Sequence, residues 1–563
     1  MGTALTLIVL FVALALCWRY LGAYMLAIYE GRVRWLRGPE RLIYRALGVD
    51  SEAEQSWERY TMSLIIFSAV AILVTYALIR LQGHLPLNPE HLPGVSPALS
   101  FNTAVSFVTN TNWQNYSGET TMSYLSQMGS LTVQMFVSAS VGIAVAVALI
   151  RGFARKESST IGNFWVDLVR GVLYLLLPIS FVMTFVFVGQ GAIQTFAGPA
   201  HIKNALDGFT QVIARGPVAS MEVIKELGTN GGGFFNANGA DPFENPTGLT
   251  NLLSVILILS IPFSLTYVFG KMVGNIRQGV AVVATMLLFF CIWTAVGIGA
   301  EHGANTAVHL GGIAHQVAGN MNGKETRFGS SSSALYNIAS TQTSTGSVDA
   351  SNDSFTPIGG MMVLTGMMLG EVTPGGVGSG LYTILLFAIV AVFLGGLMVG
   401  RTPEHLGKKI QAREVKIAAL GVLVMPITVL VLTGIATAVH SGTSATLNSG
   451  PHGFTEILYA FTSQANNNGS AFAGLSGNTP FYNILGAVAM LVGRFGVIVP
   501  ALALAGTLGK KGLVPESLGT FRTDTPLFIG LLVGVIVIVG GLTFFPAISL
   551  GPLAEQLSHG RLF

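Results

Sequence analysis

Gly228-Thr229-Asn230-Gly231-Gly232-Gly233-Phe234-Phe235-Asn236-Ala237-Asn238-Gly239 is too rich in glycine and polar residues for helix or strand, yet apolar runs long enough to cross a bilayer flank it. Hydrocarbon offers no hydrogen bonds, so irregular backbone there must be satisfied by protein, by a water-filled cavity or by an ion. The stretch does not stand alone. Thr109-Asn110-Thr111-Asn112, Gly228-Thr229-Asn230-Gly231, Thr343-Ser344-Thr345-Gly346 and Asn466-Asn467-Asn468-Gly469 are four short runs, each behind a short, half-apolar segment. Their last residues lie 119, 115 and 123 positions apart. A near-constant period marks a repeated unit. Four such units in one chain can surround an axis, as four subunits do in a potassium channel, where carbonyls replace the hydration shell of the ion. One run alone reads as an ordinary Gly/Asn turn; four in register with the same flanks do not.

The surrounding composition fits a membrane. Of 563 residues, 51% are hydrophobic and only 10% charged, with 69 glycines and a mean hydropathy of +0.63, which places the chain among polytopic membrane proteins. Runs of about 20 apolar residues fall near 3–25, 61–82, 124–150, 163–190, 249–270, 277–300, 378–400, 414–439, 481–508 and 523–547. The expected fold is all-α, with about ten transmembrane helices. Four tandem membrane-pore-membrane repeats stand in pseudo-fourfold arrangement, with one extra helix at each end. The divisions are 1–59 for the first helix and a basic loop, repeats at 60–150, 151–271, 272–401 and 402–509, and 510–563 for the last helix.

Odd-numbered connections carry 19 of the 29 Lys and Arg residues. By the positive-inside rule they are cytoplasmic, so both termini are expected outside and all four polar runs enter from outside. The apolar stretch from Ala4 to Trp18 has no basic residue before it and reads as a retained span. The outward stretches 81–123, 191–248, 301–377 and 440–480 hold 13 carboxylates against 5 bases, an acidic mouth that would concentrate cations. Cys17 and Cys291 fall in apolar runs and read as packing residues, and the ten histidines show no metal spacing and read as solvated.

Pro217 opens a segment, Val218 to Leu227, that reads as a helix too short to cross. Descending from outside, it would point its negative dipole end at the membrane centre. Gly228 to Gly231 then climbs outward with carbonyls toward the axis, in backbone conformations glycine permits. Ser100–Val108, Ala334–Thr341 and Phe454–Ala465 play the same part elsewhere, the third after a loop-like Ser330–Ser333. Neutral oxygens suit a weakly hydrated monovalent ion, whereas a divalent site would want carboxylates. The expected potassium ligands are Thr109, Asn110, Thr111, Asn112, Thr229, Asn230, Gly231, Ser344, Thr345, Gly346, Asn467, Asn468 and Gly469, with Gln114 and Gly232 adjoining.

Two ionisable residues stand in apolar surroundings, Glu371 at the mouth of the seventh span and Arg494 midway along the ninth. Charge at that depth points to function. Arg494 is expected below the filter near the axis with a carboxylate partner, either limiting ion passage or bracing two helices. Glycines at 375, 376, 378 and 380, with Gly395-Gly396, interrupt the seventh span; Gly375 and Gly376 make it a candidate hinge in a pathway, close helix packing being the alternative.

Val108-Thr109-Asn110-Thr111-Asn112-Trp113-Gln114, residues 228–238 and Asn466-Asn467-Asn468-Gly469-Ser470-Ala471-Phe472 closely resemble the KdpA family, the potassium-binding components of bacterial Kdp potassium-transporting ATPases. The likeness runs the length of the chain and includes Gly370-Glu371-Val372 and residues 375–380. It implies a K+-translocating subunit of a high-affinity uptake complex in the bacterial inner membrane. The implied partners are the other Kdp components: the catalytic P-type ATPase, or B component, which would use the ATP, the C component and the small F component, with membrane lipid around them. Nucleic acid and organic cofactors have no place in it. Thr345 stands where cysteine is expected, and Thr373-Pro374 where an apolar-aromatic pair is expected.

Neither a G-x-x-x-x-G-K-[ST] loop nor Asp-Lys-Thr-Gly-Thr occurs, so no ATPase chemistry is expected on this chain. The alternative is a self-sufficient Trk/HKT-type potassium transporter driven by an ion gradient. A membrane transferase using Asp241 and Glu244 as an acid-base pair is the reading from another class.

Overall fold

A computed structural model describes residues 2–203, 208–303, 305, 316–369, 372–400, 403–515 and 521–558. Ten helices among them are long and apolar enough to span a bilayer: Thr3–Tyr29, Trp57–His84, Ser126–Ala154, Phe164–Gly189, Gly248–Met272, Ile276–His302, Ser379–Met398, Ala412–Ala438, Pro480–Gly509 and Pro526–Leu550. Four shorter helices, Pro97–Val108, Val218–Leu227, Gly329–Thr341 and Gly450–Ala465, follow the second, fourth, sixth and eighth spans. Each leads into one polar run, and the chain then returns through the next long helix.

The start signals are local. Ser56, Asn163, Asn275, Thr479 and Thr525 cap helices with side-chain acceptors, Thr247 and Thr250 close a reciprocal box, and Pro97, Pro480 and Pro526 occupy first turns. Layering follows from which face each helix can bury. In the second helix of each unit, 56% to 89% of the most apolar stretch is buried, against 28% to 44% in the first. The second helices therefore form an inner ring and the first an outer, lipid-facing ring, and the flanking spans lie at the periphery. The expected membrane-pore-membrane plan is present, with one additional span at each end.

Four expectations need correction. Gly395-Gly396 do not interrupt the seventh span, which runs as one helix, Ser379–Val399; only the expected interruption at 375–380 is present, as irregular backbone over 372–378 that follows Pro357–Met368 and leads into that helix. Ser330 to Ser333 are helical, forming the first turns of the third pore helix. His405 and His452 are buried, not solvated. Cys291 is exposed on the sixth span, while Cys17 is half-buried. A small hairpin, Ala200–Lys203 paired antiparallel with Thr210–Ile213, adds structure before the second pore helix.

Candidate functional site

The four pore helices end where the polar runs begin, and each handover uses the same backbone bond. The third residue of each run donates to the carbonyl five positions earlier: Thr111 to Ser106 (2.9 Å), Asn230 to Lys225 (2.8 Å), Thr345 to Ser340 (3.1 Å) and Asn468 to Ser463 (2.8 Å). The second and fourth residues are left-handed in every run. The φ values are +66° and +53° at Asn110 and Asn112, +45° and +85° at Thr229 and Gly231, +50° and +83° at Ser344 and Gly346, and +52° and +93° at Asn467 and Gly469. Alternation between left- and right-handed residues turns successive carbonyls to one side of the strand, which an ordinary extended strand cannot do. Holding threonine and serine left-handed costs energy, so the surroundings must fix them. The Thr229 hydroxyl does so by accepting from Val377 N (3.0 Å).

The runs close on one another. A β-carbon at Gly231 would overlap the Thr345 carbonyl, one at Gly346 the Asn468 carbonyl, and one at Gly469 the Thr111 carbonyl. Gly232 lies against the Asn112 side chain, closing the fourth junction. Side chains lock the same seams: Asn110 Nδ2 donates to Thr229 O (3.0 Å), Asn230 Nδ2 to Asn110 Oδ1 (2.5 Å), Asn467 Nδ2 to Thr111 Oγ1 (2.9 Å) and Ser344 Oγ to Asn466 O (3.4 Å). The thirteen expected ligand residues thus form one ring of four quarters, all buried except the half-buried Gly469. Gln114 clamps the first two quarters at the mouth, accepting from Gly233 N (3.0 Å) and donating to Gly233 O (3.1 Å). Thr345, in place of the expected cysteine, pairs its hydroxyl with Thr343 (2.7 Å) as Thr111 does with Thr109 (2.8 Å). Four helix C-termini, each carrying roughly half a negative charge, and uncharged oxygens are chemically suited to a bare monovalent cation.

Beneath the ring lies the irregular backbone that leads into the seventh span. Gly375 N donates to Gln342 O (2.7 Å), and Gly376 lies under Thr343 and Ser344. Gly378, at φ +89°, and Val377 pack against Gly142 of the third span, which belongs to the opposite quarter. The irregular segment therefore crosses below the ring from the third quarter to the first. Arg494 is buried between the ninth and third spans, where its Nη2 donates to Ser138 O (3.0 Å). Ser138 Oγ in turn donates to Asn110 Oδ1 (2.7 Å), joining Arg494 to the back of the first run. The expected carboxylate partner is not found among the described residues, and Glu371 lies outside them. A cavity of about 40 Å³ beside the irregular segment is lined by Asn466, Asn467, Gly493, Leu369 and Thr543, reaching from the fourth run toward the tenth span.

Several supporting residues were missed by sequence reasoning. Asn238 Nδ2 donates to the Gly231 carbonyl (2.8 Å), Ser347 Oγ donates to Asn238 Oδ1 (3.0 Å), and Tyr336 and Tyr459 hold Ser347 and Ser470, the residues after Gly346 and Gly469. The shared hydroxyl following two of the three run-ending glycines was the available signal. Glu244 accepts from Phe234 N and Phe235 N and pairs with Lys225, so it is no partner for Asp241 in acid-base work. On the pore-helix face, burial pushes Asp349 up to about 8 and Asp241 up to about 6. Burial disfavours the charged form of His452, but hydrogen bonds to Asp353 and Glu555 push it up to about 10.

The chain is similar to known proteins over nearly its whole length. A family model described as "Potassium-transporting ATPase A subunit" matches residues 8–557. Proteins named "Potassium-transporting ATPase potassium-binding subunit" are close relatives. That of Granulibacter bethesdensis is 57% identical over 562 residues, covering 99% of this chain and 98% of its own. That of Mesorhizobium japonicum is 56% identical, with 96% of each chain covered. Among solved structures, the potassium transporter TrkH from Vibrio parahaemolyticus superposes with a TM-score of 0.52 at 15% identity, over 80% of this chain and 85% of that one. At that identity the likeness is one of fold.

Proposed function

We propose, from the premise that this chain belongs to the potassium-transporting ATPase A subunit family, that it takes K+ from outside through the four-quarter ring and passes it to an ATP-hydrolysing partner. The observation that carries the reading is the alternation of left-handed backbone repeated at the same two positions in all four runs. It aims neutral carbonyls at a common axis, the arrangement that substitutes for the water of a dehydrated monovalent cation.

The chain is the potassium-binding, non-catalytic member of a complex. Its partners would be the catalytic P-type ATPase and the C and small F components of a Kdp assembly. It would reside in the bacterial inner membrane with both termini outside, since the connections opposite the pore helices carry the basic residues. The ion would wait in the ring above the crossing segment 375–378. The cavity beside Asn466 and Asn467 offers a sideways route, with Arg494 discouraging passage straight down. The Trk-like alternative rests on shared fold alone.

Co-purification tests this. Extracted in mild detergent from its host, the chain should bring an ATPase whose turnover depends on K+. A chain that purifies alone and moves Rb+ into vesicles without ATP would overturn it.

A further inference from the structure

The four quarters are not equally charged. Six positions before the last residue of each run stand Ser106, Lys225, Ser340 and Ser463. Nine positions before stand Thr103, Glu222, Asn337 and Ala460, and five before stand Phe107, Glu226, Thr341 and Gln464. Three quarters thus place neutral residues behind the ring, and the second places a lysine and two glutamates.

None of these charges reaches solvent: the side chains of Lys225, Glu222, Glu226 and Glu244 are all 0% exposed. Burying one ammonium among three carboxylates is costly and is tolerated only where every group is held. Lys225 Nζ pairs with Glu222, lies 3.0 Å from Glu244 Oε1 and 3.4 Å from Glu226 Oε1, and donates to Asn238 Oδ1 at 3.0 Å. Three of these contacts, those to Asn238, Glu244 and Glu226, lead back to the ring. With its oxygen fixed by Lys225, Asn238 must present its amide N–H to the Gly231 carbonyl (2.8 Å). Glu244 holds Phe234 N and Phe235 N, the exit of the second run. Glu226 accepts from Ser347 Oγ (2.8 Å) and from Tyr336 OH (2.7 Å), reaching the exit of the third.

We propose that Lys225, with Glu222, Glu226 and Glu244, is a positioning cluster that sets the cation affinity and selectivity of the ring from its second quarter, by fixing the Gly231 carbonyl through Asn238. It rests on the reading of the four runs as the potassium filter. The cluster touches no ion. Its effect is to remove the freedom of one ligand carbonyl to follow a larger or smaller cation.

The test uses the complete complex reconstituted in vesicles, with half-saturating K+, kcat and the Rb+/K+ and Na+/K+ ratios read separately. Lys225→Met removes the ammonium alone. The triple replacement Glu222→Ala, Lys225→Ser and Glu226→Gln installs the residues of the fourth quarter and leaves Glu244 as the one cluster carboxylate without the lysine, still held by Phe234 N and Phe235 N. For both, loss of one charge-assisted positioning bond should raise half-saturating K+ by about tenfold or more, with kcat within about twofold and weaker rejection of Rb+ and Na+. An assembled triple variant with unchanged half-saturation and selectivity would overturn the proposal, as would loss of kcat alone or failure to assemble, which would assign the cluster to folding. Gly469→Ala, across the ring, is the control for the underlying reading. If it shifts half-saturation while the cluster variants do not, only the cluster proposal fails; if it shifts nothing, the filter reading itself fails.

Discussion

Gly469→Ala is the sharpest perturbation of the ring because two independent constraints meet at that α-carbon. Its φ of +93° lies where an L-residue is held at a cost of about 1–2 kcal/mol. The added β-carbon would also fall on the Thr111 carbonyl of the neighbouring quarter, so that carbonyl must swing from the axis. The backbone strain acts with or without an ion and belongs to stability. Only the displaced carbonyl enters ion affinity, and a ligand interaction of that kind is worth about 1–3 kcal/mol. At 1.4 kcal/mol per factor of ten, half-saturating K+ should rise roughly 5- to 150-fold. The assay is K+-dependent ATP hydrolysis by the reconstituted complex, with the unfolding midpoint in detergent measured on the same preparation. Gly434→Ala is the matched control: it sits in the eighth span with nothing within 4 Å of the new β-carbon, and should gain about 0.5–1 kcal/mol of helix stability without altering K+ dependence. A folded Gly469→Ala complex with unaltered half-saturation would refute the claim that Thr111 and Gly469 frame one site.

Three further outcomes follow from other parts of the molecule. Arg494→Gln removes the positive charge under the ring and should permit ATP-independent Rb+ leak in vesicles; normal affinity, coupling and leak would leave Arg494 a packing residue. Arg151→Met abandons Asp167, which is buried and held by two Arg151 hydrogen bonds (2.6 and 2.8 Å) and by Tyr60, and should cost about 3–5 kcal/mol, measured as a lowered unfolding midpoint; an unchanged midpoint contradicts it. His452, bridging Asp353 (2.8 Å) and Glu555 (3.1 Å) with Glu456 nearby, has its folded pKa raised to about 10 from an ordinary 6.5. Its stabilisation is therefore complete below about pH 6.5 and is lost as pH rises toward 10. Protection of Pro552–Leu557 from hydrogen exchange, taken relative to the intrinsic base-catalysed rate, should fall between pH 7 and 10, and His452→Gln should abolish that fall; identical protection profiles would refute the clasp.

What the sequence disclosed was whatever repeated. The second pore helix, Val218–Leu227, has the expected bounds because Pro217 and Gly228 delimit it chemically. The spans were visible because a bilayer demands some 20 apolar residues in a row. That same window hid Pro357–Met368, a 12-residue half-helix whose glycines and methionines resemble neither loop nor span. Serines at 330–333 suggested a loop, yet packing against the sixth span overrode propensity, as tertiary context does in short helices. Single residues were the least legible. His405 and His452 carry no periodicity, and their burial depends on neighbours distant in sequence, such as Phe153 and Glu555. Lys225 was concealed differently: it lies in a register that reads Ser, Lys, Ser, Ser only after the four runs are superposed.

That register bears on why four units share one chain. Four identical subunits would give a ring of identical quarters, and any charge placed behind one carbonyl would be placed behind all four. Fusion lets each quarter differ while the backbone alternation stays common to all. Here the first run ends in Asn112 where the others end in glycine, the second is backed by Lys225 and its carboxylates, the inner helix of the third follows a segment that crosses below the ring, and that of the fourth carries Arg494. These differences lie on different levels: the first two adjust the ring, the last two what lies beneath it. A conduit open to both faces needs no such asymmetry, because its ion leaves along the axis it entered. On the function proposed for this chain, an ion held above the crossing segment asks for one quarter to cross below the ring and another to place charge there. Restoring symmetry below the ring, by replacing Arg494 with Gln while the crossing glycines stay, should therefore loosen coupling without abolishing binding.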